Sequence, residues 1–208
     1  MNIKVIDNFL NQKDFKELCS LNLQPVNKES IKVYHNKIFK DGKIEVECIS
    51  EENIKELFKN YHEKAIKLLQ ELNPKKVELY EYSEFHIIET GSDYKFPIHD
   101  DIPNKLLSGV IYLKPERNTG TILYEDKKGN GKKTIEWKQN RALFFSRSEM
   151  ETWHSYEGDG KQNRYALIYN LMTDNIKGVY KAENKNYYLG LLRYKINPVL
   201  FRFFKFTI

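Results

Sequence analysis

Pro97-Ile98-His99-Asp100-Asp101 is the stretch from which the rest of this chain can be read. In an extended segment the side chains at i and i+2 leave the same face, so His99 and Asp101 project together while Asp100 points away. His154 follows 53 residues after Asp101, within Trp153-His154-Ser155, which leaves room for several strands to fold back between them. Arg164 stands ten residues further on and opens the strand-like run Arg164-Tyr165-Ala166-Leu167-Ile168-Tyr169.

Two imidazoles and one carboxylate form a facial ligand set that leaves three positions of an octahedral ion open, the arrangement of non-haem Fe(II) sites. Neutral imidazoles and a single carboxylate leave the ion residual positive charge, so it still attracts an anionic ligand. Arg164 could offer a guanidinium fork to a second carboxylate several ångströms away. A dicarboxylic 2-oxo acid meets both demands. Taken alone, His99 and Asp101 read equally well as a surface turn before Pro103; the lesser alternatives for the other two are a structural histidine beside Trp153 for His154 and a pair with a carboxylate on a neighbouring strand for Arg164. The order of the four together, and the mostly apolar face-mates Ala166, Ile168 and Asn170 of Arg164, favour a site.

The run from Pro97–Asp101 through Val110-Ile111-Tyr112-Leu113, Gly120-Thr121-Ile122-Leu123-Tyr124, Arg141-Ala142-Leu143-Phe144-Phe145 and Trp153-His154-Ser155 to Arg164 resembles the Fe(II)/2-oxoglutarate-dependent dioxygenases, and most of all their prolyl 4-hydroxylase-like branch. The resemblance covers roughly residues 77–173. It implies a double-stranded β-helix, or jelly roll, with His99, Asp101 and His154 as iron ligands and Arg164 as partner of the distal 2-oxoglutarate carboxylate. Tyr112 sits where some relatives place a tyrosine on that same carboxylate. The implied cofactor and cosubstrates are Fe(II), 2-oxoglutarate and O2, with ascorbate as a candidate reductant, and the implied products are a hydroxylated C–H position, succinate and CO2. Retention of Asp101, which halogenating relatives replace, points to hydroxylation. This chain departs from the family at Asn118-Thr119-Gly120, where relatives often carry two glycines, and at Asn170, where many prolyl hydroxylases have an aromatic residue. The resemblance leaves peptidyl proline, other protein side chains and small metabolites open as substrates.

With 208 residues, 40 % hydrophobic and 30 % charged, the composition is that of a single domain with a sizeable core. The 14 Tyr and 12 Phe favour a β-rich interior. Cys19 and Cys48 provide no disulfide framework, and the start Met1-Asn2-Ile3-Lys4-Val5 lacks the apolar core of a signal peptide, which reads as a cytosolic protein. The net charge of +5 is unevenly placed: Lys177 to Ile208 holds seven Lys or Arg against Glu183 alone, or +6, and leaves the remainder near −1. A solvated basic face is the ordinary account of that tail, and an anionic partner is the other. A non-catalytic jelly-roll binding module using this tail, on nucleic acid for example, is therefore the alternative to an oxygenase.

Alternation at Ile3–Ile6, helical spacing at Phe15, Leu18 and Cys19, and two extended runs (Ser30–Phe39 and Lys43–Ile49) around Asp41-Gly42 occupy the first fifty residues. Ser50 can cap a helix with Glu51 and Glu52 in its first turn and an apolar stripe from Ile54 to Leu72, stopped by Asn73-Pro74. His62, on the flank of that helix, reads as solvated, His86 as scaffold, and His35 has no assigned role. From Val77 onward the texture is strands: 77–89, 94–99, 106–113, 121–124, 134–137, 141–145 and 164–171, with punctuated turns that indicate a sandwich or jelly roll. Lys127–Lys133, with Gly129 and Gly131, lacks the ending of a phosphate loop and reads as a cationic hairpin tip. The expected class is α+β, mainly β, in one domain: a supporting region over 1–76, a jelly-roll core over 77–173, and a basic extension over 174–208. The cations that interrupt the apolar tail argue against a membrane span and for an amphipathic segment packed on the domain.

Overall fold

The computed structural model describes residues 2–204. It begins with β1 (Ile3–Ile6) and α1 (Gln12–Cys19), whose cap Asn11 accepts a hydrogen bond from the Asp14 backbone N–H at 2.8 Å. Next come β2 (Ile31–Tyr34), β3 (Lys37–Phe39) and β4 (Ile44–Glu45). The expected hairpin forms, but only between β3 and β4, with Gly42 at φ +88° in the turn. The first extended run is broken at Asn36, whose buried side chain accepts from the Glu47 backbone at 3.0 Å and donates to the Phe85 carbonyl at 3.1 Å.

Ser50 caps α2 (Glu51–Leu72) by accepting from the Asn53 N–H, and Ile54, Leu57, Tyr61, Ala65, Leu68 and Leu69 form its buried stripe. The two helices are joined through buried Asp14, which accepts from the Tyr61 hydroxyl at 2.5 Å and from the Asn60 side chain at 3.1 Å. A strand was expected from Val77, but Pro74–Leu79 is a 3-10 turn, since Pro74 presets the helical φ at its start.

Strands then follow as β5 (Tyr82–Thr90), β6 (Lys95–His99), β7 (Lys105–Lys114), β8 (Thr121–Leu123), β9 (Lys133–Ile135), β10 (Ala142–Phe145), β11 (His154–Glu157) and β12 (Arg164–Met172). Six of the seven expected strands lie within a residue or two of these; the first, expected from Val77, begins at Tyr82, and β11 was not anticipated. The Gly129–Gly131 segment is the expected hairpin tip, between β8 and β9. The strands form two antiparallel sheets: an eight-stranded one in the order β1-β10-β7-β12-β5-β3-β4, with β2 also on β5, and a four-stranded one in the order β6-β11-β8-β9. This is the expected jelly roll with supporting helices.

Period-two alternation sorts the large sheet. Along β12, Leu167, Tyr169 and Leu171 face the helices and join Leu107, Ile111, Phe144, Phe85 and the α2 stripe in the main core. Arg164, Ala166, Ile168 and Asn170 face the other way, into a cavity of about 340 Å³ between the sheets. The described residues close with α3 (Ile176–Ala182) and α4 (Tyr187–Phe204), the latter so tightly applied that Gly190 meets the Tyr180 ring with no room for a Cβ. No helix among the described residues is long and apolar enough to cross a membrane. Both cysteines are free thiols.

Leu69 is fully buried where α2 meets the large sheet. Leu69→Ala is expected to lower the unfolding free energy by about 2–5 kcal/mol, the cost of a buried cavity, in urea denaturation. A change below about 1 kcal/mol would mean that α2 is not seated as described.

Candidate metal centre

β6 and β11 pair antiparallel with His154 directly opposite His99, and the ring centroids lie 4.1 Å apart. Asp101 follows two residues after the end of β6, and its carboxylate completes a cluster of three ligand atoms within 4.8 Å of one another. Each imidazole places Nδ1 against a backbone carbonyl, His99 on Pro97 at 3.0 Å and His154 on Thr152 at 2.9 Å. A carbonyl can only accept, so Nδ1 is the donor in both rings and Nε2 is the nitrogen left to face a metal. Burial, with His154 alongside, lowers the His99 pKa to about 3, so the ring is neutral as a ligand must be.

Both Asp101 oxygens are oriented. Lys105 Nζ donates to Oδ1 at 2.7 Å, and Ser108 Oγ to Oδ2 at 2.5 Å. Burial alone would raise this carboxyl, but Lys105 and the two imidazoles hold it below the usual carboxylate range. Two imidazole nitrogens and one ionised oxygen converging within 4.8 Å suit a divalent metal ion such as Fe(II).

Arg164 occupies the far part of the same cavity and is 2 % exposed. Its guanidinium lies 4.4 Å from the Tyr156 ring centre and 4.9 Å from that of Trp137. It makes one long hydrogen bond, to the Thr119 carbonyl at 3.3 Å, and no ion pair with any carboxylate among the described residues. Burial pushes its pKa down while Tyr112 and Tyr156 oppose that shift. A charge taken this far from water is costly unless an anion meets it.

Tyr112 is fully buried, but its hydroxyl donates to Thr121 Oγ1 at 2.8 Å and accepts from the Thr121 N–H at 2.9 Å. Its ring stacks on Trp137 at 4.4 Å and does not line the cavity. Tyr112 thus shapes the wall around Arg164, and Thr121 is the neighbour that faces the cavity. His62 is not solvated as expected: it is half-buried and stacks on Phe58 at 4.3 Å. His86 serves the scaffold, with Nδ1 accepting from the Asn36 N–H at 3.1 Å and Nε2 3.3 Å from Glu84.

Comparison with solved structures finds a prolyl-4-hydroxylase from Pseudomonas putida at 15 % identity and a TM-score of 0.55, covering 83 % of this chain and 93 % of that one. A prolyl hydroxylase from Trichoplax adhaerens, in complex with a hypoxia inducible factor oxygen degradation domain peptide fragment, aligns at 16 % identity and 0.56 over 85 % and 86 %. A 2OG-Fe(II) oxygenase family oxidoreductase from Burkholderia pseudomallei aligns at 12 % and 0.54 over 82 % and 84 %. The fold is that of the 2OG-Fe(II) oxygenases. At these identities the likeness is one of fold. No family model and no curated protein matches the sequence.

On this oxygenase fold the loop that carries Asp101 is held from behind by a network that sequence reading missed. Arg147 donates through Nε to the Asp101 carbonyl at 3.1 Å and through Nη1 to Glu183 at 2.7 Å, and its Nη2 lies 3.9 Å from Asp100. Lys76, with no exposed side-chain surface, pairs with the other Glu183 oxygen at 2.7 Å and donates to the Arg147 carbonyl. Asp100 in turn accepts from the Met150 N–H at 2.8 Å and from the Thr152 hydroxyl. Two cations and two carboxylates thus balance in the interior. Residues so far apart in sequence leave no periodic signal; only the presence of Lys76 in a segment that becomes buried could have drawn notice.

Glu183→Ala would strand Lys76 and Arg147 without their shared carboxylate. Stability should fall by about 3–5 kcal/mol in urea denaturation. A loss under about 1 kcal/mol would mean that solvent or another group takes over the role.

Proposed function

We propose that the protein is an Fe(II)- and 2-oxoglutarate-dependent dioxygenase that hydroxylates an unactivated C–H bond. The observation that carries this reading is the pairing, within one cavity, of a three-ligand cluster with a buried arginine that has no carboxylate partner among the described residues. When bound, iron and 2-oxoglutarate supply the oxidising chemistry, with O2 as cosubstrate, succinate and CO2 as coproducts, and ascorbate as a reductant that keeps the metal ferrous.

His99, Asp101 and His154 hold the metal, and the Pro97 and Thr152 carbonyls fix the imidazole tautomers. Ser108 and Lys105 orient the carboxylate. Arg164 takes the far carboxylate of 2-oxoglutarate, with Thr121 beside it and Tyr112 and Trp137 setting its position. Phe96, Val110, Phe145, Ala166 and Ile168 wall the space between with apolar surface and keep water from it.

The substrate class we assign is a peptide side chain, with proline first. Two features support it: the Trichoplax relative of this fold was solved with a peptide, and a groove of about 240 Å³ adjoins the metal cluster at His99 and Asp101. Ile102, Pro103, Met150, Trp153 and Tyr194 line the groove and suit a compact apolar ring. The intact ligand set favours catalysis over recognition alone.

Protein supplied with Fe(II), ascorbate and a pool of peptides should convert 2-oxoglutarate to succinate and add one oxygen to its substrate by mass spectrometry. His99→Ala and His154→Ala should each abolish turnover, and full activity in both would end the assignment. Arg164→Ala should raise the half-saturating 2-oxoglutarate concentration by about thirtyfold or more, from the roughly 2–5 kcal/mol lost with one partner of a buried charge pair. An unchanged value would remove Arg164 from cosubstrate binding.

A further inference from the structure

The tail left unexplained by the reaction folds as α4, and its two sides differ. Gly190, Arg193, Tyr194 and Asn197 face inward and wall the groove beside the H-x-D loop. Facing outward are Tyr188, 77 % exposed, and Phe203, 68 % exposed, with Leu189, Leu192 and Val199 each more than half exposed. At about 100° per residue these five fall within an arc of about 100°, and exposed Lys195 and Arg202 lie along one edge of it. No Asp or Glu occurs from Asn184 to the end of the sequence.

Large apolar side chains and cations sharing one helix face, without acids, match the boundary of an anionic bilayer. The apolar groups enter the acyl region there while the cations remain at the headgroups. We propose that α4 is an interfacial anchor that lays this outer face on an anionic lipid surface. Nucleic acid fits less well, because phosphate binding needs dense cations and gains nothing from five exposed apolar residues. A second copy fits less well too, since pairing this face with itself would bring its cations together with no acid from α4 to meet them. The helix lies along the surface and does not span it. Because its inner side walls the groove, adhesion would leave the groove and the ligand cluster on the side of α4 away from the lipid. This inference is independent of the reaction proposed above.

The test is co-sedimentation of the full chain with phosphatidylcholine vesicles, with and without phosphatidylglycerol. Expected is binding only to the phosphatidylglycerol-containing vesicles, weakened by added salt. The double variant Leu192→Glu, Phe203→Glu should weaken binding about tenfold or more while thermal unfolding is unchanged, since both residues are exposed. The charge variant Lys195→Glu, Arg202→Glu should remove the preference for phosphatidylglycerol. Failure to sediment, or full binding by the double variant, overturns the proposal. Light scattering that shows a dimer lost in the double variant assigns the face to self-association and overturns it equally. So does salt-sensitive binding to a polynucleotide that the double variant retains.

Discussion

The pairing of β6 with β11 is the constraint on which the rest of the site depends. It sets His99 against His154 across two strands, and a shift of one residue would turn one imidazole to the opposite face of the sheet. Phe96 and Tyr156 stack in the same pair at 5.4 Å with nearly parallel rings, which pins the register beyond the ladder itself. Asp101 needs no strand of its own. It lies just past the end of β6 and is held by Lys105, Ser108 and Arg147.

Electrostatics then divides the cavity. In one part the ionised Asp101 lies beside the two imidazoles and Lys105; in another, Arg164 is surrounded by aromatic rings and one carbonyl. The contrast with Arg147 is instructive. Both guanidinium groups are buried to a similar degree, yet Arg147 has Glu183 and Asp100 while Arg164 has no carboxylate partner among the described residues. That contrast is what motivates the proposed role of Arg164 as the partner of a bound anion.

The three residues of the candidate cluster were legible as a set because metal chemistry constrains residue type and order. The H-x-D spacing and the face-mates of Arg164 follow from period-two geometry, His154 from its place in the order of the motif, and β7, β10 and β12 from their apolar and aromatic texture. What escaped were features with no local period. His154-Ser155-Tyr156-Glu157 has too little apolar content to read as a strand and becomes one because the flanking strands β6 and β8 offer it two ladders. Val77 to Leu79 looked extended, but Pro74 starts a 3-10 segment of six residues, about two turns, that takes them up. The Lys76–Glu183–Arg147 network joins residues 71 and 107 positions apart, a relation that only the folded chain contains.

The most direct measurement of the central claim is an anaerobic calorimetric titration of metal-free protein with Co(II) or Fe(II), with and without 2-oxoglutarate. The account predicts one metal per chain, tighter binding of that metal when 2-oxoglutarate is present, loss of the metal site in His154→Ala, and loss of the 2-oxoglutarate effect alone in Arg164→Ala. Metal binding that survives in His154→Ala, or a 2-oxoglutarate effect that survives in Arg164→Ala, would contradict it.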